Sequence, residues 1–160
     1  WKPNPKSWSI AQCLDHLITT NELYFPIFDG LKTGTVPSNF FARFGIMSGY
    51  FGRLLRRTLG PDVVRKAKSP ANFQPSQSDL GGDIVSRFLA HQEVLLQAYA
   101  DLPNQDLSQI IMISPAASFV TYSIEDALHI LAGHEERHLR QAQRVMQEAN
   151  FPIKSSPDTI

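Results

Sequence analysis

The segment from Ser123 to Ala149 constrains the fold more than any other part of the chain, because no proline interrupts it and its apolar residues recur at helical spacing. At about 100° per residue, Ala127, Ile130, Leu131 and Val145 share one face, so the segment predicts a long helix that must bury this stripe against other elements. Ser123 supplies a cap and Asp126 stands in the first turn, where a carboxylate complements the helix dipole. Asn150 and Pro152 close the helix after about Ala149.

Three further helices are expected. Ser9 and Gln12 form a capping box, and Ile10, Leu14, Leu17 and Tyr24 then recur at helical spacing, which predicts a helix from Ile10 to about Phe25. Pro26 and the stretch from Gly30 to Pro37 close it. A second helix is expected from Phe40 to Leu59, weakened by Gly45, Gly49 and Gly52 and ended by Gly60-Pro61. Residues 61–78 hold Pro61, Pro70 and Pro75 and no apolar period, so they read as an ordered loop crossing the bundle or as a lid. A third helix runs from about Asp79 to Tyr99, with Ile84, Val85, Phe88, Leu95, Leu96 and Tyr99 on one side, and Pro103 ends it. A loop through Ser114-Pro115 leads to the last helix. No alternating pattern extends beyond Phe119 to Tyr122, so the expected fold is an all-α four-helix bundle with long inter-helix loops, a single domain over residues 1–160.

Composition narrows the partners. A chain of 160 residues buries roughly two-thirds of its unfolded surface and needs no covalent staple. Lys plus Arg equals Asp plus Glu at 15 each, which leaves no net field to draw nucleic acid or anionic lipid. The local run Arg53, Arg56, Arg57, Arg65, Lys66 and Lys68 reads as a solvated face, with an anionic substrate group as the functional alternative. No apolar run reaches the roughly 18 residues of a membrane span. One cysteine, Cys13, is ordinary usage for a reducing compartment, so a cytoplasmic location is expected. The sequence opens on Trp1 without a methionine, consistent with a missing upstream piece.

The chemistry lies in the histidines. His134 and His138 stand about 40° apart on the last helix, one turn from each other, within the stripe that faces the core. Each buried ring carries a donor and an acceptor to satisfy, and a divalent cation occupying both acceptors does so. Backbone carbonyls or water are the alternative partners. His16, beside the apolar stripe of the first helix, is the third candidate ligand. His129 lies about 140° from His134 and cannot join the pair. His91, close in azimuth to Ile84 and Leu95, is a fourth ligand, a supporting donor or, more simply, a partly buried structural histidine. Cys13 reads as a small buried hydrophobe. Gln141, one turn beyond the pair, and Gln12, one turn before His16, are expected near the metal, unless they are core-edge amides bonded to backbone.

His134-Glu135-Glu136-Arg137-His138 also spells H-E-x-x-H, in which Glu135 would be the general base of a zinc metalloprotease. The extended motif would need glycine at 141 and histidine at 144, where the chain has Gln141 and Arg144. A glutamate ligand downstream is reduced to Glu148, too far along the same helix to curl back. Glu135 and His138 match half of a di-iron bundle site, but no second E-x-x-H exists. No phosphate-binding glycine loop, serine-hydrolase elbow or cysteine pair is present.

Trp8-Ser9-Ile10, Asp15-His16-Leu17 and the run Gly133-His134-Glu135-Glu136-Arg137-His138-Leu139-Arg140-Gln141-Ala142 resemble the DinB-like superfamily of metal-binding four-helix bundles, which includes the YfiT-like proteins regarded as hydrolases. Lys68-Ser69-Pro70, Phe73-Gln74-Pro75 and Ser114-Pro115 extend the likeness over most of the chain. The resemblance implies that His16, His134 and His138 bind one divalent transition metal, zinc or nickel foremost, in an open site, often within a homodimer. It further implies either thiol S-transferase activity with bacillithiol, mycothiol or glutathione, or isomerase activity, although many members have no assigned reaction. The family usually has a helix before its tryptophan motif, whereas only seven residues precede Trp8; either that helix lies upstream of Trp1 or the Phe40 to Leu59 segment takes its place.

Three imidazoles around a metal leave a position for water or a small-molecule substrate, the pattern of a catalytic site. The expectation is therefore a metal-dependent enzyme of thiol-transferase or hydrolase type. The contrasting reading is a metal-binding or stress-related bundle without catalysis. Imidazole-only sites suit zinc, nickel, copper and iron alike.

Overall fold

The computed structural model describes residues 1–37, 40–43, 45–63, 70–75 and 80–152. Helix α1 (Ile10–Glu22) starts at its capping box: Ser9 is extended, its Oγ accepts from the Gln12 amide at 3.1 Å, and the Gln12 side-chain oxygen accepts from the Ser9 amide at 3.1 Å. Such a cap contributes about 1 kcal/mol. The chain turns at Leu23 and Tyr24 and re-enters helix as α2 (Phe25–Thr33), so Pro26 opens a helix where it was expected to close one. In a first turn the missing proline amide has no intrahelical partner to lose. Gly34, at a φ of 70°, then closes α2 in the left-handed conformation that glycine adopts without strain.

After a short 3₁₀ turn (Phe40–Arg43) comes α3 (Gly45–Leu59). The third expected helix is α4 (Ile84–Ala100), which starts later than expected. Asp79, expected to begin it, lies outside the described residues, as do Arg65, Lys66 and Lys68 of the basic cluster and Ser69 of the family motif. On α4 the buried side is Ile84, Phe88, His91 and Leu95, whereas Val85 and Leu96, expected beside them, are exposed together with Leu89. Val85, Leu89 and Leu96 form a second apolar stripe turned about 100° from the first.

An antiparallel hairpin of β1 (Ile111–Ser114) and β2 (Ala117–Ser123) precedes the last helix, so the bundle is mostly but not wholly helical. Met112 pairs with Tyr122 and Ile113 with Thr121, and the register shifts at Ser114. The run Ile110 to Ile113 is continuously apolar, so it carries no alternation to mark a strand. The hairpin also feeds α5 (Ile124–Met146). The Ile124 amide donates to the Ile110 carbonyl at 2.9 Å, the Glu125 amide to the Leu107 carbonyl at 3.3 Å and the Asp126 amide to Ser123 Oγ at 3.0 Å. Amides that a bare helix start would leave unpaired are thus satisfied.

Contacts along the chain give the directions of packing. Leu14, Leu17 and Ile18 meet Ile84 and Phe88, Phe25 packs on His91, Phe28 on Tyr99, and Lys32 pairs with Asp101 at 3.1 Å, so α1 and α2 run alongside α4 in the same sense. Helix α5 runs opposite to α1, with Tyr122 against Tyr24 at one end and His138 against His16 at the other. Helix α3 follows α5: Ser48 bonds Thr121 at 2.8 Å, Arg56 pairs with Asp126 at 3.3 Å, and the Arg137 guanidinium donates to the Thr58 carbonyl at 3.0 Å. The closest approach is at Gly52, where a Cβ would collide with the Asp126 carboxylate, so a residue that weakens the helix on its own is what lets α3 dock. Arg53, Arg56 and Arg57 are exposed, as a solvated face requires. Among the described residues no helix is long and apolar enough to cross a membrane.

Candidate metal centre

His134 and His138, one turn apart on α5, face His16 on α1. Ring centroids lie 4.5 Å apart for His134 and His138, 4.5 Å for His16 and His138, and 5.1 Å for His16 and His134. One ligating atom from each falls within 4.8 Å of the others, so the trio can hold a metal ion. His16 and His138 are buried and His134 is partly buried.

Each ring is set up to offer a lone pair. His16 Nδ1 hydrogen-bonds the Phe73 backbone carbonyl; the nitrogen must be the donor, which fixes the tautomer and leaves Nε2 as the acceptor. That Nε2 lies 2.9 Å from His134 Nε2. Among the described residues, Nδ1 of His134 and Nδ1 of His138 are buried with no hydrogen-bond partner. Burial pulls the His134 pKa down to about 3 and that of His138 to about 2, and the neighbouring imidazoles push the same way. Burial also lowers His16, against the Phe73 carbonyl, which raises it. All three rings are therefore neutral near pH 7, as ligation requires. Neutral nitrogens, unpartnered buried atoms and the absence of a carboxylate from the trio fit a borderline-soft divalent ion.

The family model described as DinB superfamily matches residues 1–142. The chain belongs to the DinB superfamily. Comparison with curated proteins and with solved structures gives no match.

In this DinB-superfamily chain the other expected site residues are placed as follows. Gln141 interacts with His138, favouring its charged form slightly against burial. Gln12 uses its side-chain oxygen in the α1 cap. Glu135 turns away from the trio into the seam of α1, α4 and α5, where its Oε1 accepts from Asn21 at 2.9 Å and from Gln92 at 2.8 Å. His91 lies in that seam against Phe25 and outside the trio, buried, its Nε2 without a partner among the described residues. His129 is exposed. Cys13 is completely buried and its thiol is pushed up to about 12 by desolvation, which makes it a core residue and no nucleophile.

Two residues that the sequence offered only as motif letters, with no role at the site, take part in it. Trp8 stacks on His138 with centroids 5.5 Å apart and packs on His16 at 4.8 Å, so the tryptophan of the family motif shields the histidines. Phe73 comes from the 61–78 segment, in a short 3₁₀ turn (Ala71–Phe73), and supplies both a buried ring and the carbonyl that orients His16.

His16 and His134 also line a cavity of about 150 Å³. On α1 the wall is the i, i+4, i+8 row His16, Thr20 and Tyr24, the last just beyond the helix end. Ile130 and Leu131 of α5 and Leu55 and Leu59 of α3 line two further sides, and Phe73 and the hairpin residues Ser114, Ala116, Val120 and Tyr122 also line it. The Tyr24 and Tyr122 hydroxyls are 2.8 Å apart, and Tyr122 donates to Ser114 Oγ at 3.5 Å.

Proposed function

We propose that the chain is a metal-dependent enzyme of thiol-transferase or hydrolase type, with one divalent transition metal, zinc or nickel, held by His16, His134 and His138. The observation that carries this reading is that three neutral imidazoles converge beside a cavity. Three protein ligands leave a coordination position for a reacting group, whereas a purely structural zinc site closes its shell with four. A bound divalent ion supplies Lewis acidity at that position, for activating water or a thiol.

The chain's own residues do the rest. The Phe73 carbonyl holds His16 at one angle, Trp8 and the surrounding core limit water, and burial keeps the rings unprotonated. Glu135, bonded to two amides on the far side of α5, is in no position to take a proton at the trio, which weighs against the metalloprotease spelling.

A small molecule is the substrate in this reading, with a low-molecular-weight thiol as co-substrate in the transferase form. The balanced charge argues against nucleic acid, and the lone buried thiol fits the cytoplasm. Homodimerisation belongs to the same proposal, and the exposed stripe Val85, Leu89 and Leu96 on α4 offers an apolar surface for it. The test is to offer metal-loaded protein a bacterial thiol with an electrophile and, separately, a generic ester or amide. Consumption in one panel supports the enzyme; inactivity in both with metal still bound favours the binding module.

A further inference from the structure

We propose that the cavity beside the histidines is a binding site for an uncharged molecule of phenol size, with an apolar body and one hydrogen-bonding group that meets Thr20. The idea deepens the proposed function by naming a substrate class, and it rests on that reading only for the chemistry at the histidine end.

Size comes first. A cavity of about 150 Å³ matches the volume of an engineered apolar cavity known to take up benzene, so the occupant has roughly six to eight non-hydrogen atoms. Charge comes second: among the described residues no Lys, Arg, Asp or Glu lines the wall. Beyond the histidine end, away from any bound cation, an ionised group would lose its hydration without gaining an opposite charge. A thiol that carries several carboxylates therefore cannot enter whole, and the cavity suits the other, neutral substrate.

The polar group is placed by an unmet need. Thr20 is buried, and its Oγ1 has no hydrogen-bond partner among the described residues although it lines the cavity. A buried hydroxyl left unpaired is costly, and a ligand oxygen or sulfur beside it relieves that cost. Thr20 stands one turn from His16 and one turn from Tyr24, so it divides about 12 Å of helix between the histidine end and the tyrosine end. A group bound at Thr20 is therefore about one turn, some 6 Å, along α1 from the His16 backbone position. At the far end the Tyr24 and Tyr122 hydroxyls already satisfy each other, and Tyr122 reaches Ser114, so among the described hydroxyls of the wall Thr20 has the unused capacity.

The experiment titrates the full chain, as purified, with toluene, phenol and benzoate by ligand-observed NMR and thermal shift, with metal content measured on the same samples. Phenol is expected to bind more tightly than toluene, and benzoate, compared on chelator-treated samples in which no cation can hold its carboxylate, at least tenfold more weakly than phenol. Thr20→Val, close in shape, should weaken phenol by about three- to tenfold while leaving toluene within a factor of two and the metal content unchanged. Leu55→Trp, which fills the cavity, should weaken both neutral probes. Phenol binding unaffected by Thr20→Val, benzoate bound as tightly as phenol by chelator-treated protein, or no binding of either neutral probe by metal-loaded protein would overturn the proposal. Phenol binding with the Thr20 dependence in protein that holds no metal would support this site while removing the metal reading, so the two fail separately.

Discussion

Glu135 shows how one residue's surroundings outweigh its motif. It follows a ligand histidine in an H-E-x-x-H string, yet its carboxylate ties α5 to Asn21 of α1 and Gln92 of α4. Asn21 is fully buried, so removing the acceptor strands its amide. Glu135→Ala should therefore cost about 1–3 kcal/mol in chemical denaturation while the protein keeps its metal. A variant that keeps full stability but loses its metal would place Glu135 at the centre after all. His134 and His138 were legible in the sequence because their spacing and their apolar neighbours both point inward. The Phe73 carbonyl was not, because a backbone acceptor has no side-chain signature and meets His16 only through a loop 57 residues further along the chain. Trp8 was visible as a motif letter, but its stacking on His138 depends on how the N-terminal segment returns across α5.

The helices themselves were legible where cap and period agree. Ser9 with Gln12 and Ser123 with Asp126 mark two helix starts that the structure reproduces. Pro26 was misjudged because proline stops a helix from within but is welcome in its first turn, and only the turn at Leu23 and Tyr24 distinguishes the cases. The hairpin was hidden for a related reason, since its first strand is apolar at every position before Ser114 and shows no alternation. Gly52 lowered the propensity of α3, and the docking of α5 explains it. Gly52→Ala would raise intrinsic helix propensity by about 1 kcal/mol, yet the collision with Asp126 should make the variant less stable than the parent, by about 1–3 kcal/mol in urea unfolding. A stabilised Gly52→Ala protein would mean that the Asp126 carboxylate swings clear of the new methyl group at little cost.

At the scale of the whole molecule, the bundle holds three imidazoles in a setting that keeps them uncharged. Their folded pKa values lie below the roughly 6.5 of an unfolded histidine. Below that pH the unfolded chain binds more protons than the folded one, so stability falls as the pH falls. Metal-free protein should hold its full stability above about pH 7 and lose up to about 1.4 kcal/mol per pH unit per ring between pH 6 and pH 4. Thermal unfolding across that range checks it, and a flat profile would show that the rings titrate normally. The central claim is that these rings form one metal site, and elemental analysis of purified wild type beside His134→Ala tests it most directly. About one transition-metal ion per wild-type chain, with most of it lost from a folded His134→Ala protein, is the predicted result; a variant that keeps its full metal content would contradict the site.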